Sequence, residues 1–154
     1  MLQKFIRTNS SKTTIIIRLI VGIIFLSEGI QKFLYPAIRG AGRFEKMGFP
    51  NPEFFGNFVG AFEIVCGALL LLGFLTRGAA LAMLINMSVA IVVTKIPILF
   101  GESFGSFVLR ELDSYGFWLM MHEIRTDFAM WLGSLFLFIK GGGQWSIDWK
   151  ISKK

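Results

Sequence analysis

The sequence predicts an all-α fold: a four-transmembrane-helix bundle with a short amphipathic or re-entrant segment between helices 3 and 4. Hydrophobic residues make up 54% of the 154 residues, and charged residues make up 17%. Soluble domains carry roughly 25% charged residues, so this composition is typical of a membrane protein. Apolar runs of about 20 residues recur along the chain, which is the length that a helix needs to cross a bilayer.

Length and charge favour one membrane domain over residues 1–154, with no nucleic acid partner. The formal net charge is +6, but the basic residues are spread over the termini and short loops and form no basic stripe. Cys66 is the only cysteine, which excludes an intrachain disulfide, and we interpret it as a small buried hydrophobe. His122 is the only histidine, so a bis-His haem would need two chains.

The first half of the chain is expected to contain two spans. Residues 14–35 form an apolar run that no small-residue cleavage site follows, so we interpret it as a retained helix rather than a signal peptide. Residues 36–52 are predicted to be a loop, because Pro50 and Pro52 cannot lie inside a helix. The second span is predicted over residues 53–75.

The second half is expected to contain two more spans. A tight turn at Thr76-Arg77-Gly78 precedes the third span, over residues 79–100. Residues 101–121 mix charged and aromatic side chains, which is typical of a segment lying at the membrane interface. The fourth span, over residues 122–140, begins with charged residues and continues as an apolar run, as expected for a helix whose polar end faces a site inside a bundle.

The distribution of basic residues predicts the orientation. Four spans place both termini on the same side of the membrane. The terminal segments and the turn at Arg77 are basic, whereas acidic residues accompany the basic ones in the other two loops. The positive-inside rule therefore predicts a multi-pass protein of the bacterial cytoplasmic (inner) membrane with both termini in the cytoplasm.

Ionisable residues inside the first two predicted spans are candidate site residues. Glu28 and Lys32 are spaced i,i+4 with the acid first, the order that favours an ion pair. Glu63 shares a helix face with Gly60 and Gly67, and such small residues allow another helix to pack closely. This face is expected to place Glu63 near the middle of the membrane.

The third and fourth predicted spans supply the remaining candidates. Glu123 and Asp127 share one face of the fourth span, and Arg125 lies on the opposite face. Lys95 is expected to extend toward the membrane surface. Charged residues are therefore expected to converge on the outer half of the bundle: Glu28, Lys32, Glu63, Lys95, Glu123, Arg125 and Asp127. They form either ion pairs that join the helices or a polar pocket for a ligand.

Several sequence fragments occur together in a characteristic order. They are Arg18-Leu19-x-x-Gly22, Gly29-x-x-Lys32-Phe33, Gly60-Ala61-Phe62-Glu63-Ile64, Leu75-Thr76-Arg77, His122-Glu123-x-Arg125-x-Asp127 and Gly141-Gly142-Gly143-x-Trp145-Ser146-x-Asp148. With these fragments the chain resembles, over almost its whole length, the DoxX family of small four-helix bacterial membrane proteins. The resemblance implies a link to redox metabolism, because members of the wider family look like subunits of thiosulfate:quinone oxidoreductase or scaffolds of oxidoreductase complexes.

The first functional hypothesis is a quinone-linked oxidoreductase subunit of the inner membrane. A quinone needs proton donors beside an apolar slot, and buried carboxylates can supply them. The expected site residues are Glu63, Glu123 and Asp127 as catalytic groups, and Glu28, Lys32, Arg125 and His122 as substrate-binding groups. No metal site is expected, and haem is a less favoured cofactor than quinone.

The alternative hypothesis is a non-catalytic subunit that assembles or anchors a larger membrane complex. It is motivated by the absence of any metal-cluster, nucleophile or nucleotide motif from the sequence. The expected partners are the lipid bilayer and either another membrane protein or further copies of this chain. A small transporter is a third alternative, but no internal repeat supports it.

Overall fold

Helices account for the regular structure of this protein. The computed structural model describes residues 6, 8–103 and 105–153, and no β-strand occurs among them. The helices are α1 (Thr14–Leu34), α2 (Ala41–Lys46), α3 (Pro52–Leu72), α4 (Thr76–Thr94), α5 (Ile96–Phe100), α6 (Phe117–Lys140) and α7 (Ile147–Ser152). The predicted all-α class is therefore confirmed.

Helices α1 and α3 pack closely through glycines on both sides. A Cβ atom on Gly29 of α1 would lie 2.7 Å from the carbonyl oxygen of Gly60 in α3. A Cβ atom on Gly67 of α3 would lie 2.7 Å from the backbone nitrogen of Leu26. Residue numbers rise along one helix as they fall along the other, so the pair is antiparallel. The close approach confirms the predicted packing face of α3, and it brings Glu63 against α1.

Helix α6 packs antiparallel to α4 on the other side of the bundle. The indole N–H of Trp131 donates a hydrogen bond to Ser88 Oγ at 2.9 Å. The buried core between the long helices contains Val21, Phe25, Cys66, Leu70, Ala79, Ala80, Met83, Met87, Met130 and Leu137. Cys66 is buried there without a disulfide partner, which confirms its interpretation as a small hydrophobe.

Three segments among the described residues are long and apolar enough to cross a membrane. They are Thr14–Leu34, Pro52–Leu72 and Thr76–Phe100, the last of which combines α4 and α5. Helix α6 has a comparable length of 24 residues, but its first half carries His122, Glu123, Arg125 and Asp127. The charged first half of α6 distinguishes this helix from the three apolar segments.

The turn between α3 and α4 is short. Only Gly73, Phe74 and Leu75 separate the two helices, and φ is positive at Gly73 (65°) and at Leu75 (49°). The predicted position of this turn, at Thr76-Arg77-Gly78, lies later in the chain than the observed one. The difference arises because Gly73 adopts the left-handed conformation that ends α3, so that α4 can begin at Thr76.

The bundle has two ends, which contain different segments of the chain. The terminal end contains residues 8–14, 73–76 and 140–150, and the loop end contains residues 35–51, 95–103 and 105–116. At the terminal end, the N–H of Asn9 donates to the carbonyl of Lys140 at 3.1 Å, and the N–H of Gln144 donates to the carbonyl of Ser11 at 3.0 Å. The first turn of α1 and the last turn of α6 therefore lie at the same end.

The expected amphipathic or re-entrant segment between α5 and α6 is not confirmed. Its described residues between 101 and 116 form turns and extended backbone, and residues 117–121 belong to the start of α6. The N–H of Val108 donates to the carbonyl of Met47 at 3.1 Å, which fastens the segment across the loop end. Charged and aromatic residues occur both in segments that lie across the end of a bundle and in amphipathic or re-entrant segments. Composition therefore did not distinguish the two structures.

Candidate functional site

A cavity of about 600 Å³ lies toward the loop end, between α1, α3, α4 and α6. Much of its wall is aromatic: Phe25, Phe44, Phe49, Phe55, Phe58 and Phe62. Its polar lining is Glu28, Lys32, Arg39, Arg43, Glu63, Asn86, Thr94, Lys95, Glu123, Thr126 and Asp127. Five of the seven predicted site residues therefore line one cavity.

The most deeply buried polar cluster of this cavity joins three helices. The Lys32 ammonium of α1 donates to Glu63 Oε2 of α3 at 2.5 Å, and the Asn86 amide of α4 donates to Glu63 Oε1 at 3.2 Å. Lys32 is 8% exposed and Glu63 is 5% exposed, so this ion pair lies away from solvent. Both carboxylate oxygens of Glu63 are thus satisfied, as a buried charge requires.

A second ion pair joins α6 to the end of α4. The Lys95 ammonium lies 3.1 Å from Asp127 Oδ2, and both side chains are largely buried, at 12% and 25% exposure. The Lys95 ammonium therefore has a carboxylate partner on the neighbouring helix, and its position near the membrane surface stays a prediction. The antiparallel packing of α4 and α6 brings the Asp127 carboxylate within reach of the Lys95 ammonium. An ion pair is more favourable there than an ammonium without a partner.

Glu123 is tied to the segment that covers the loop end. Arg110 Nη2 donates to Glu123 Oε2 at 2.6 Å, with the Arg110 side chain 62% exposed. An ion pair with one partner in solvent adds little stability, typically about 0 to 1 kcal/mol. This contact can therefore break more readily than the Lys32–Glu63 pair.

Glu28 lines the cavity but does not pair with Lys32. The expected i,i+4 ion pair within α1 is replaced by the Lys32–Glu63 pair between α1 and α3. Glu63 is the better partner because it is buried beside Lys32, whereas Glu28 is only half-buried. Glu28 is thus a cavity carboxylate without an ion-pair partner among the described residues.

Arg125 and His122 lie outside the cavity. Both are exposed on α6, and Arg125 Nη1 lies 2.8 Å from His122 Nδ1, so the two side chains contact each other. Neither of them lines the cavity, whereas Glu123 and Asp127 line it from the same helix. Their expected role in binding a ligand beside the carboxylates has no support from this placement.

Sequence reasoning did not include Asn86, Arg39 and Arg43 in the site. Asn86 is the only amide among the described residues of α4 that the cavity could use, and a polar residue within an apolar span was its signal. Arg39 lies just before α2, and Arg43 lies within it. Both reach the cavity because this part of the chain folds over the loop end. No local pattern indicates that fold.

Residues 8–103 and 105–153 bring together no group of three or more His, Cys, Asp or Glu side chains placed to hold a metal ion. The polar groups of the cavity are ammonium, amide, guanidinium and carboxylate groups. They suit an organic ligand that needs hydrogen-bond donors and exchangeable protons beside an apolar wall.

Comparison with known proteins assigns the family. The sequence model of the DoxX family matches residues 13–96, more than half of the chain. The chain belongs to the DoxX family. A relative described as an uncharacterized membrane protein of Mycobacterium tuberculosis is 48% identical over 151 residues, which cover 98% of this chain and 88% of the relative. No solved structure matches this DoxX protein.

The matched DoxX region contains one part of the site and excludes another. Lys32, Glu63, Asn86 and Lys95 lie within residues 13–96, whereas Asp127 on α6 lies beyond them. The buried Lys32–Glu63–Asn86 cluster is therefore built entirely from the part that matches the family model.

Proposed function

We propose that this DoxX protein is an integral inner-membrane subunit linked to redox metabolism, and that its cavity binds a quinone. The observation that supports the proposal is one cavity of about 600 Å³ with an aromatic wall and two ion pairs, Lys32–Glu63 and Lys95–Asp127, on its polar side. Pockets of roughly 300 to 1,000 Å³ with apolar walls and a few polar groups are typical ligand sites.

The chemistry of a quinone suits this lining. A quinone has a flat apolar ring whose two carbonyl oxygens accept hydrogen bonds. The ammonium groups of Lys32 and Lys95 and the Asn86 amide are donors at the cavity wall. Phe58 and Phe62, which stack at 5.7 Å between ring centroids, offer flat surface for the ring.

Reduction of a quinone to a quinol takes up two electrons and two protons. Glu63 and Asp127 are the proposed proton-handling groups, because both carboxylates lie on the polar wall of the cavity. Each of them is paired there with a lysine. Glu123 is a proposed third carboxylate, and its exposed partner Arg110 places it nearer to solvent. The electrons come from a substrate or a partner protein, with a thiosulfate:quinone type of reaction as the proposed example.

The proposal includes a topology. Helix α6 is proposed to be the fourth transmembrane helix, because it packs antiparallel to α4 and its charged half is turned toward the cavity at Glu123 and Asp127. Both termini are proposed to lie in the cytoplasm, since Lys12, Lys140 and Lys150 lie at the terminal end.

The test is quinone binding by the purified protein. The protein is extracted in mild detergent, its lipids are analysed by mass spectrometry, and a short-chain quinone is titrated into the lipid-depleted protein. We expect one quinone per chain, and we expect Glu63→Gln and Asp127→Asn each to weaken binding by about tenfold, because each variant removes the carboxylate that orients a donor ammonium, of Lys32 or of Lys95. Glu102→Gln, at an exposed position of the loop end, is the matched control and should bind normally.

Two results would contradict the quinone proposal. The first is no stoichiometric quinone together with no binding in the titration. The second is wild-type affinity in Glu63→Gln and Asp127→Asn while both variants remain folded by thermal unfolding.

A specific observation also favours the alternative of a non-catalytic assembly or anchoring subunit. Three of the four cavity carboxylates are paired, with Lys32, Lys95 and Arg110, which suits charges that join helices. Trp118, at the start of α6, is 83% exposed and offers an anchor for a partner or for the headgroup region of the bilayer. A co-purifying protein and no quinone would favour this alternative.

A further inference from the structure

A second cavity, of about 730 Å³, adjoins the first at the loop end. It lies under the segment between α5 and α6. Its lining includes the basic residues Arg39, Arg43 and Lys46 and the apolar residues Ile38, Val93 and Ile98. The two cavities share Arg39, Arg43, Met47, Val93, Thr94 and Lys95, but no carboxylate.

The charge of this second cavity is strongly positive. Lys95 and Arg110 are neutralised by Asp127 and Glu123, which line the first cavity rather than this one. Arg39, Arg43 and Lys46 remain, and none of them has an ion-pair or side-chain hydrogen-bond partner among the described residues. Glu111 is the single acid in the lining. Three cations without partners around one concave space attract an anionic ligand.

Arg43, which is half-buried, extends from a helix that is packed on the bundle, whereas Arg39 and Lys46 are exposed. Phe44 of α2 is buried, and its ring packs edge-on against Phe49 at 5.1 Å between centroids. A Cβ atom on Gly56 of α3 would lie 2.6 Å from the backbone nitrogen of Ala41, so the start of α2 packs directly on α3. Arg43 extends from this anchored helix, so little ordering of its backbone is needed when a ligand binds.

We propose that this second cavity is a binding site for a phosphate group. The planar guanidinium groups of Arg39 and Arg43 match the oxygen geometry of phosphate, and Lys46 adds a point charge. The apolar part of the lining, which includes Ile38, Val93 and Ile98, suits an acyl or alkyl group attached to that phosphate. The phosphate can belong to a lipid headgroup or to a free solute. This proposal does not depend on quinone binding.

The test is calorimetric titration of the full-length protein in uncharged detergent and phosphate-free buffer. The ligands are dihexanoyl phosphatidic acid, dihexanoylglycerol as its phosphate-free counterpart, and inorganic phosphate. The variant is Arg39→Gln combined with Arg43→Gln, and Lys46→Gln is a second, milder variant. The matched control is Lys12→Gln combined with Lys150→Gln, which removes two exposed cations at the opposite end.

We expect phosphatidic acid to bind and dihexanoylglycerol not to bind. The double arginine variant should bind phosphatidic acid about tenfold or more weakly, because charge-assisted contacts to phosphate are lost, and Lys46→Gln should be affected less. The lysine control should bind as wild type does. If inorganic phosphate also binds, and the double arginine variant weakens that binding, free phosphate is a sufficient ligand. If only phosphatidic acid binds, the ligand is a lipid.

Three outcomes overturn the proposal. They are no binding of either phosphate compound, equal binding of phosphatidic acid and dihexanoylglycerol, and equal weakening in the arginine variant and the lysine control. Quinone titration of Lys46→Gln keeps the two proposals separate, because Lys46 lines only the second cavity and this variant should bind quinone as wild type does.

Discussion

Arg18 and Asp148 stabilise the two sides of the turn between α3 and α4. Arg18 donates to the last carbonyls of α3, with Nε 2.8 Å from the Leu70 oxygen and Nη2 2.6 Å from the Leu71 oxygen. Asp148 accepts the first N–H groups of α4, from Leu75 and Thr76, both at 2.9 Å. A cation thus meets the negative end of one helix and an anion meets the positive end of the next.

Asp148→Asn is expected to lower the free energy of unfolding by about 1 to 2 kcal/mol, the usual cost of a lost helix cap. The residue that precedes α4, Leu75, provides no side-chain cap of its own, so Asp148 supplies both acceptors. An amide offers one acceptor oxygen and no charge. The measurement is unfolding in detergent followed by circular dichroism. Asp113→Asn, on the exposed segment of the loop end, is the control, and equal losses in the two variants would contradict the capping role.

Arg18→Lys is expected to destabilise the protein although it keeps the charge. Arg18 is 2% exposed and also donates from Nη1 to the carbonyls of Gly142 and Trp145, so its guanidinium joins α3 to the chain after α6. An ammonium is a point donor and cannot reach four carbonyls arranged around a planar fork. The same unfolding measurement applies, with Lys12→Arg as the reciprocal control on an exposed residue. Unchanged stability in Arg18→Lys would show that charge alone is needed.

A double-mutant cycle is expected to show strong coupling between Lys32 and Glu63. Glu63→Leu alone leaves a buried ammonium without a partner, and breaking such a pair typically costs about 3 to 5 kcal/mol. Lys32→Met alone leaves a buried carboxylate in the same way. The combined variant should be more stable than either single variant, because no uncompensated charge remains. Additive losses, measured by the free energy of unfolding, would mean that the two side chains do not act as a pair.

Gly29→Ala is expected to disturb the packing of α1 on α3 more than Gly133→Ala disturbs α6. The new Cβ at position 29 would meet the Gly60 carbonyl and the Ile64 backbone, at 2.7 and 2.8 Å. The Cβ at position 133 would meet only side chains, with Val21 Cγ2 as the nearest atom. Forced overpacking costs about 1 to 3 kcal/mol, and backbone yields less than a side chain. A melting temperature lowered equally in both variants would contradict the backbone contact.

His122→Ala and Arg125→Gln are expected to leave ligand binding in the first cavity unchanged. Both side chains are exposed and contact each other on α6, and neither of them lines the cavity. Asp127→Asn, on the same helix, is the matched positive control, because Asp127 lines the cavity. The quinone titration compares the three variants. Weaker binding in His122→Ala than in Asp127→Asn would place the site on the other face of the helix.

Local patterns predicted the parts of the fold that depend on one helix at a time. Apolar runs indicated the long helices, and the glycines around Glu63 indicated the packing face of α3, because spacing along a helix determines which residues share a face. The same reasoning placed Glu123 and Asp127 together on α6. These expectations need no knowledge of the neighbouring helix.

The partners of each charge could not be predicted in the same way. Lys32 had Glu28 as an acid of suitable spacing on its own helix, yet it pairs with Glu63 of another helix. Lys95 pairs with Asp127 only because α4 and α6 are antiparallel neighbours. The relative rotation and register of two helices depend on packing over their whole length, which a single sequence does not reveal.

The three-residue connection of α3 to α4 has a consequence for how the protein is made. Gly73, Phe74 and Leu75 span at most about 10 Å, so the start of α4 always stays beside the end of α3. Arg18 of α1 is synthesised before α3, whereas Asp148, which accepts the first N–H groups of α4, is synthesised after both helices. We therefore expect α3 and α4 to be inserted together as one helical hairpin.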